Sequence, residues 1–337
     1  MKRTIIAIVL FVSLVLTPLP TDKKDAAMGG SAWAVLDGDT GRLLSGSNEN
    51  LQLPIASLTK MWTALTFLES GRAEGEITIS AAAASAEGSS IYTQIGERWD
   101  SDALLYGLML RSGNDAAFAL AEHAGGSVDG FVDLMNEKAK LYGFERTTFK
   151  NPSGLHHEEH LSTAYETGLM LYFAMKNKEF RKIASTEKFV YRKGDEVRSW
   201  GNKHRLVHSN KTVIAGKTGF TKAAGRTLAT YFEKDGKKLI VVTLNNGNDW
   251  NTHEYLANET FNNYDLVTVA KKGEYRILPG ITGKLKKPIV LLLNKDEEEK
   301  VSHVIYIPRN QGKKGTGTWT VSLDNEVLAT TQVDIRK

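Results

Sequence analysis

Three short motifs carry the side chains of this chain that are best suited to chemistry. They are Ser57–Lys60 (S-L-T-K), Ser112–Asn114 (S-G-N) and Lys217–Gly219 (K-T-G). In the first motif the serine and the lysine are three residues apart on a predicted helix, so both lie on one face and the amine can reach the hydroxyl. A serine activated in this way attacks carbonyl groups. The motif therefore indicates acyl transfer through a covalent intermediate.

Lys60 can act as the base only if its amine is neutral. A free lysine has a pKa of about 10.4, and lowering it to roughly 7.4 requires about 4 kcal/mol. Burial against neighbours such as Met61 and Trp62 supplies part of this shift, and a second cation, Lys217, supplies more. The predicted helix also begins at Ser57, where free N–H groups and the helix dipole favour developing negative charge.

The elements that must position these motifs alternate along the chain. Strand patterns at 33–37 and 42–46 flank a turn at 38–41, and further strand patterns follow late in the chain, at 213–215, 226–232 and 238–244. Helical periodicity fills the region between them, at 58–68 (ending at Gly71), 101–110, 115–123, 128–141 and 163–175, with a closing helix at 249–264. One sheet must therefore combine distant segments. This predicts an α/β (α+β) domain with an antiparallel sheet flanked by helices.

The C-terminal segment has a different pattern. Short alternating runs occur at 286–293, 301–307, 318–323 and 326–333, and Asp324-Asn325 is a hairpin turn signal. These runs predict a small β-rich domain over 271–337, and no catalytic cluster is visible there. The catalytic domain is then expected over 28–270.

The N-terminus has the pattern of an export signal. Lys2 and Arg3 precede an apolar run, Ile5–Leu16, which is shorter than the ~20 residues that span a membrane. We expect a signal peptide or N-terminal anchor over residues 1–27, with cleavage near Ala27. The protein is then exported to the outer face of the cytoplasmic membrane or the cell wall. Membrane attachment is expected only through an uncleaved N-terminal segment.

Composition limits the remaining classes. The 337 residues are 41% hydrophobic and 24% charged, with a net charge of +4 and no cysteine. Disulfides, cysteine-ligated zinc and a cysteine nucleophile are therefore excluded. The small, dispersed positive charge does not predict nucleic-acid binding. No cofactor and no metal are predicted.

The three motifs, in this order, are a known signature of serine β-lactamases and penicillin-binding proteins. Stretches beyond them resemble the D-alanyl-D-alanine carboxypeptidases of the low-molecular-mass penicillin-binding group. The resemblance runs from about 31 to 264 and points in particular to members from spore-forming, Bacillus-type bacteria, including a sporulation-associated one. It is carried by 54–60, 106–125, 151–155, 160–165 and 216–228.

This resemblance implies a penicillin-binding-protein/serine β-lactamase-like fold and a function. The expected reaction removes the terminal D-alanine from peptidoglycan stem pentapeptides, and penicillin and other β-lactams are covalent inhibitors. Ser57 attacks the penultimate D-alanine carbonyl, Lys60 takes its proton, Ser112 relays a proton to the leaving amine, and Asn114 holds the acyl-donor amide. The backbone N–H groups of Ser57 and Phe220 form the oxyanion hole.

The resemblance also implies a set of substrate-binding residues. Lys217 and Thr218 engage the terminal carboxylate, and Gly219 lets the strand backbone approach the substrate, next to Phe220. Arg226 is a further candidate for the carboxylate, although an ordinary surface strand position is the favoured interpretation of this residue.

Two decoy motifs give competing interpretations. Residues 156–160 (H-H-E-E-H) match a zinc-protease pattern, which would require a helix with both histidines on one face. Here the pattern follows a turn-like stretch and is predicted to lie in a polar loop. Residues 185–188 repeat S-x-x-K just before a strand-like run, and we interpret them as a coincidence.

Two alternative functions remain open. A serine β-lactamase would need a glutamate for deacylation, and 158–162 only loosely resembles the E-x-x-L-N pattern because Ser162 replaces the asparagine. The S-G-N motif, in place of S-D-N, also favours the carboxypeptidase. A non-enzymatic β-lactam or peptidoglycan sensor would usually carry membrane helices and a signalling domain, and neither is visible in the sequence.

Overall fold

The computed structural model describes residues 30–308 and 314–336. The strands occur near the start of this range, in its middle and throughout its C-terminal part: β1 Ala32–Asp37, β2 Leu43–Ser47, β3 Glu76–Thr78, β4 Arg98–Asp100, β5 Lys188–Lys193, β6 Glu196–Gly201, β7 Val213–Thr221, β8 Gly225–Lys234, β9 Lys237–Leu244, β10 Asp265–Ala270, β11 Gly273–Leu278, β12 Ile281–Leu285, β13 Ile289–Leu293, β14 Val301–Tyr306, β15 Lys314–Leu323 and β16 Glu326–Arg336.

The helices lie mainly between β2 and β10: α1 Thr59–Leu68, α2 Ala81–Ala84, α3 Ser101–Tyr106, α4 Asn114–Gly125, α5 Val128–Leu141, α6 Ala164–Lys176, α7 Lys178–Ala184, α8 Arg205–Ser209, α9 Asp249–Asn263 and α10 Lys295–Glu298. A 3-10 turn at Ala56–Leu58 leads into α1, and a π-helical turn at Gly107–Arg111 follows α3.

The central sheet joins the two ends of the catalytic region. Its order is β2-β1-β9-β8-β7, and each neighbouring pair is antiparallel. Side chains alternate between its faces, so Leu36 and Val242 face one hydrophobic core while Val35 and Val241 face another. The first core contains α1 and α4 to α6, and the second contains α9. The predicted antiparallel sheet flanked by helices is therefore confirmed.

The C-terminal part is a separate β assembly. Strands β11-β12-β16-β15-β14 form one sheet, and β10 pairs with β13. Their buried side chains, including Trp319, Val321 and Val333, form a third hydrophobic core. The predicted turn at Asp324 and Asn325 has positive φ at both residues, as a two-residue hairpin requires. Because β10 already pairs with β13, C-terminal pairing begins before residue 271. The division at 270/271 stays a prediction.

A buried ion pair joins the two parts. Arg42, at the start of the β2 segment, donates to Glu297 Oε1 at 2.7 Å and to the Leu292 carbonyl at 2.9 Å. Glu297 also accepts from the Asn294 backbone N–H as part of the capping box of α10. Glu297 is therefore held by its own helix, and the pair connects the β assembly to the segment next to the central sheet.

Some local predictions were wrong. The single helix expected at 101–110 is α3 followed by the π-helical turn, whereas the first helix ends at Leu68, just before its predicted stop at Gly71. The strand expected from 286 begins at Ile289, and β3, β4, β6, β10, β11 and β12 were not predicted. The N-terminal segment 1–27, with its predicted signal, lies outside the described residues. Within the described part of the chain, no helix is long and apolar enough to cross a membrane.

Candidate active site

Ser57 lies in the 3-10 turn that precedes α1. The residue before it, Ala56, has a positive φ of 49°, a conformation that non-glycine residues adopt only when their surroundings impose it. Gly154 packs directly against this turn, because a Cβ at its position would lie 1.9 Å from the Ala56 carbonyl oxygen. On the other side, Thr227 Oγ1 donates to the Ile55 carbonyl at 3.0 Å. The turn that carries Ser57 is thus held between a loop and β8.

Lys60 Nζ has three hydrogen-bond partners. It lies 3.0 Å from Ser57 Oγ, 2.7 Å from Asn114 Oδ1 and 2.5 Å from the Ser153 carbonyl oxygen. The last two partners can only accept. A neutral amine has two hydrogens and one lone pair, so it donates to those two oxygens and accepts from the Ser57 hydroxyl. The three contacts therefore orient the lone pair toward the serine proton.

The neutral amine is also favoured electrostatically. Lys60 is fully buried, and burial lowers its pKa well below the usual value, with the charges of Lys217 and Lys203 adding to the effect. Asp115 opposes the shift in pKa. The expectation that burial and Lys217 together lower this pKa agrees in direction, and Lys203 is a contributor that the sequence did not indicate.

The S-G-N motif forms the link between α3 and α4. Ser112 has left-handed backbone angles (φ 63°, ψ 34°), and its hydroxyl accepts from Lys217 Nζ at 3.0 Å. Asn114 uses Oδ1 for Lys60 and Nδ2 for the Glu87 carbonyl. The left-handed conformation of Ser112 is imposed by its contacts, because a non-glycine residue rarely adopts it unaided.

Asp115 holds the loop that packs against the S-G-N motif. Its carboxylate is fully buried and accepts from the Ser90 hydroxyl at 2.6 Å and from the backbone N–H groups of Ile91 and Thr93 at 3.1 Å. Sequence reasoning assigned Asp115 no role. The only sequence feature that pointed to Asp115 is its position directly after Asn114.

Lys217 lies on β7 and is 1% exposed. Its Nζ donates to Ser112 Oγ and, at 2.8 Å, to the Thr218 carbonyl. Burial, with a smaller contribution from Lys203, lowers its pKa from 10.5 to about 7. The bond from Lys217 Nζ to Ser112 Oγ connects the second and third motifs.

Gly219 brings β7 against the nucleophile turn. A Cβ here would lie 2.4 Å from Thr227 Oγ1 and 2.9 Å from the Ser57 backbone nitrogen. A side chain would thus occupy the space in front of the Ser57 N–H. The glycine was expected to admit substrate, and the structure adds that it also admits the backbone of Ser57.

A cavity of about 640 Å³ opens beside Ser57. Thr218 and Phe220 line it, and the Phe220 side chain is 66% exposed. Lys203 and Arg226 also line this cavity. The favoured interpretation of Arg226 was an ordinary surface strand residue, whereas the structure places it in the cavity wall.

Neither decoy motif lines the cavity beside Ser57. Residues 156–160 form a loop and turn, as predicted, and no cluster of three or more metal-binding side chains occurs in residues 30–308 and 314–336. His160 Nε2 lies 2.8 Å from Thr59 Oγ1, its Nδ1 accepts from the Lys150 N–H, and burial lowers its pKa to about 3. It is a neutral packing residue behind α1. Ser185 and Lys188 lie in a turn and at the start of β5.

The loop behind Lys60 contains residues that the motifs did not identify. The Ser153 carbonyl is a ligand of Lys60, and the Asn151 side chain shapes its loop by accepting from the backbone N–H groups of Ser153, Gly154 and Leu155. In the sequence, the stretch 151–155 carries part of the family resemblance. An Asn-Pro-Ser-Gly turn was its physical signal.

Solved structures define the class to which this fold belongs. The D-alanyl-D-alanine carboxypeptidase DacD from Francisella tularensis has a TM-score of 0.70 and 23% identity, and the match covers 97% of this chain and 96% of that one. Penicillin binding protein 5 from Haemophilus influenzae has a TM-score of 0.75 and 22% identity, with 91% and 96% coverage. At this identity these matches show the fold, which is penicillin-binding-protein/serine β-lactamase-like.

Sequence comparison then defines the family. The profile of the D-alanyl-D-alanine carboxypeptidase family, Peptidase S11, matches residues 20–248. The D-alanyl-D-alanine carboxypeptidase DacF of Bacillus subtilis (strain 168) is 31% identical over 326 residues, covering 89% of this chain and 83% of DacF. The chain belongs to this family and is a serine-type D-alanyl-D-alanine carboxypeptidase. The predicted fold class, family and activity are confirmed.

Proposed function

We propose that Ser57 is the nucleophile and that peptidoglycan stem peptides ending in D-Ala-D-Ala acylate it. The observation that carries the proposal is the set of three contacts around Lys60 Nζ. Two carbonyl oxygens take both hydrogens of the neutral amine, and the lone pair is left for the Ser57 hydroxyl at 3.0 Å. A fixed base at this distance is what general-base activation of a serine requires.

The proton and the leaving group then follow one route. The Ser57 proton passes to Lys60 as Ser57 Oγ bonds to the penultimate D-alanine carbonyl carbon. Ser112 delivers its proton to the leaving amine as the C–N bond breaks, and Lys217 Nζ, which donates to Ser112 Oγ at 3.0 Å, replaces that proton. Free D-alanine leaves. Water then attacks the ester and gives a proton back to Lys217 through Ser112, while Lys60 returns its proton to Ser57 Oγ as the peptide acid is released.

Backbone groups stabilise the tetrahedral intermediate. The N–H groups of Ser57 and Phe220 are the proposed oxyanion donors, and Gly219 keeps the space before the Ser57 N–H open. Loss of one such donor typically costs about 2.7–4 kcal/mol in transition-state stabilisation. Asn114 retains a second Nδ2 hydrogen beside its bond to Glu87, and we assign that hydrogen to the acyl-donor amide.

Cationic and hydroxyl groups of the cleft receive the terminal carboxylate. Lys217, Thr218 and Arg226 are the proposed partners, and Thr218 and Arg226 both line the cavity beside Ser57. Lys203 adds positive charge at the same cavity, where it donates to Ser89 Oγ at 3.0 Å. Such a concentration of cations suits a substrate that ends in a free carboxylate.

A β-lactam places a strained amide in the same position, so we propose that penicillin acylates Ser57. Slow release of the adduct is expected, because the glutamates of the β-lactamase-like pattern do not line the cleft. Glu159 is 69% exposed and pairs with Lys150 at 3.0 Å, and Glu158 is exposed. The arrangement therefore favours a penicillin-inhibited carboxypeptidase over a β-lactamase.

We further propose that the protein acts outside the cytoplasm, because its stem-peptide substrate is part of the cell wall and the N-terminus has an export pattern. A role in sporulation also stays a proposal, and it rests on the Bacillus-type resemblance.

The direct test measures D-alanine released from a peptide ending in D-Ala-D-Ala. Wild type should release it and penicillin should block the release, whereas Ser57→Ala should be inactive. Ser185→Ala, in the second S-x-x-K sequence, is the matched control and should retain activity. Mass spectrometry should locate the penicillin adduct on Ser57. An adduct on another residue, or release by Ser57→Ala, would overturn the proposal.

A further inference from the structure

An ion pair is built into the wall of the cleft. Arg226 Nε donates to Asp249 Oδ2 at 3.1 Å, and Arg226 Nη2 donates to Asp249 Oδ1 at 2.8 Å. The Asp249 side chain is 3% exposed and the Arg226 side chain is 44% exposed. Both residues line the cavity beside Ser57, together with Trp250. The buried partner is thus the carboxylate, and the accessible partner is the guanidinium.

The two bonds leave a defined part of the guanidinium free. Asp249 occupies the Nε–Nη2 edge, so Nη1 points away from that carboxylate. Within the described part of the chain, Nη1 has no hydrogen-bond partner. A planar guanidinium held by one carboxylate along one edge can still bind a second carboxylate with its remaining N–H groups. The pair therefore presents a pre-oriented donor to the cleft.

The fold explains why Arg226 and Asp249 meet. Arg226 on β8 lies opposite Phe220 on β7, and Phe220 is the residue directly after the K-T-G motif. Asp249 is the first residue of α9, where its Oδ1 also accepts from the Trp250 N–H at 2.8 Å. The helix N-terminus stabilises the Asp249 charge. Two separate elements therefore fix the guanidinium beside the strand that carries Lys217.

Trp250 forms the wall next to this pair. Its ring centroid lies 5.9 Å from the Arg226 guanidinium carbon and 4.9 Å from that of Arg205, and His204 meets the ring edge-on at 5.2 Å. The indole is therefore held from several sides. A peptide that continued past the terminal residue would bring a neutral amide to the guanidinium and further chain against this ring.

We propose that Asp249 is a positioning residue that aims Arg226 at the substrate carboxylate. Together with Trp250, the pair makes the cleft select a free C-terminal carboxylate over an amidated, extended or cross-linked terminus. The proposal rests on the proposed attack of Ser57 on D-Ala-D-Ala and adds the determinant of carboxypeptidase over endopeptidase action.

The experiment compares one N-acetylated peptide ending in D-Ala-D-Ala with the same peptide as its C-terminal carboxamide. We measure kcat and KM for D-alanine or D-alaninamide release by wild type, Asp249→Asn, Arg226→Lys and Arg226→Ala. Hydrogen bonds to charged groups predict that each variant lowers kcat/KM for the acid by about 10- to 100-fold, mainly through KM. The carboxamide should change by less than about threefold, so the acid preference should fall.

The matched control is Arg98→Ala. Arg98 pairs with Glu76 at 2.8 Å on the surface, where the two side chains are 65% and 40% exposed. This change removes an arginine–carboxylate pair outside the cleft and should leave both substrates unaffected. If Asp249→Asn fails to fold, the two Arg226 variants still test the carboxylate preference. The Arg226 side chain is partly exposed, so its replacement disturbs the core less than replacement of Asp249.

The outcomes separate this inference from the proposed function. If the variants lower acid and carboxamide turnover equally, or only lower the melting temperature, the ion pair is purely structural and the inference is wrong. If wild type hydrolyses neither peptide, or Ser57→Ala hydrolyses both, the proposed function itself fails. Loss of acid preference with intact carboxamide turnover supports the positioning role.

Discussion

The catalytic region and the C-terminal β assembly differ in what they bury. In the catalytic region, Lys60, Lys217, Asp115 and several histidines are almost inaccessible, and most of their polar atoms are hydrogen-bonded. Among the described residues after Thr260, every buried side chain is hydrophobic, as in the core around Trp319. A buried charge is unfavourable unless it is satisfied, so it persists mainly where chemistry needs a shifted pKa.

The comparison also separates activity from stability. The catalytic cleft holds a desolvated lysine next to a serine, which opposes stability, whereas the interior of the β assembly consists of apolar side chains. Substitutions in the two regions should therefore change different measured quantities. The following predictions test this separation, beginning with the largest expected effect.

Lys60→Met should abolish most of the activity and have a much smaller effect on stability. General-base catalysis contributes roughly 10²–10⁴-fold, so the rate of Ser57 acylation should fall by about that factor. Removing the desolvated amine relieves its burial, which offsets the lost bonds to Asn114 and Ser153. Stopped-flow acylation by a fluorescent penicillin and urea unfolding measure the two effects. Acylation at the wild-type rate would disprove the assignment of Lys60 as the base.

Trp319→Ala should have the opposite pattern. The ring is 5% exposed in the core of the β assembly, and truncation of a buried aromatic residue typically lowers the free energy of unfolding by about 3–5 kcal/mol. The catalytic constants should stay at wild-type values because the ring lies in the core of the β assembly and does not line the cleft. Hydrogen exchange would localise the loosening to β14–β16. A large change in kcat would show that the two regions are coupled.

Mild acid should destabilise the catalytic region selectively. Burial lowers the pKa values of His160 and His204 to about 3, while both residues titrate near 6.5 when unfolded. Below pH 6.5 the unfolded chain binds more protons than the folded one, so stability falls as the pH drops from about 6.5 toward 3. Between pH 7.5 and 5.5 the two histidines together should remove about 3 kcal/mol.

The check is urea unfolding at both pH values, with hydrogen exchange read separately for the two regions. His160→Gln should make the pH dependence shallower by about one proton, because glutamine does not titrate. Equal free energies of unfolding at pH 7.5 and 5.5 would contradict the prediction that His160 and His204 are both buried in the neutral form. Acid-induced exchange that begins in the β assembly would contradict the contrast between the regions.

Local patterns determined much of this protein. The order of the three motifs could be read directly from the sequence. Three further features could be predicted because each depends on neighbours within a few residues: the spacing of Ser57 and Lys60, the helix at 128–141 and the hairpin turn at Asp324. The central sheet was also predictable, since strands at both ends of a helical region must pair. The break in the helix at Gly107 was not, because that π-helical turn is adopted where the S-G-N link must take a left-handed residue.

Only the tertiary structure decided how the groups meet. Lys60 reaches the Ser153 carbonyl 93 residues away, Lys217 reaches Ser112 across 105 residues, and Arg226 meets Asp249 from a different element. No periodicity encodes such contacts, because they depend on how whole helices and strands pack. The sequence by itself determined which side chains do the chemistry. Packing decided their burial, their pKa values and the direction of each hydrogen bond, because desolvation and contact distance exist only in the folded chain.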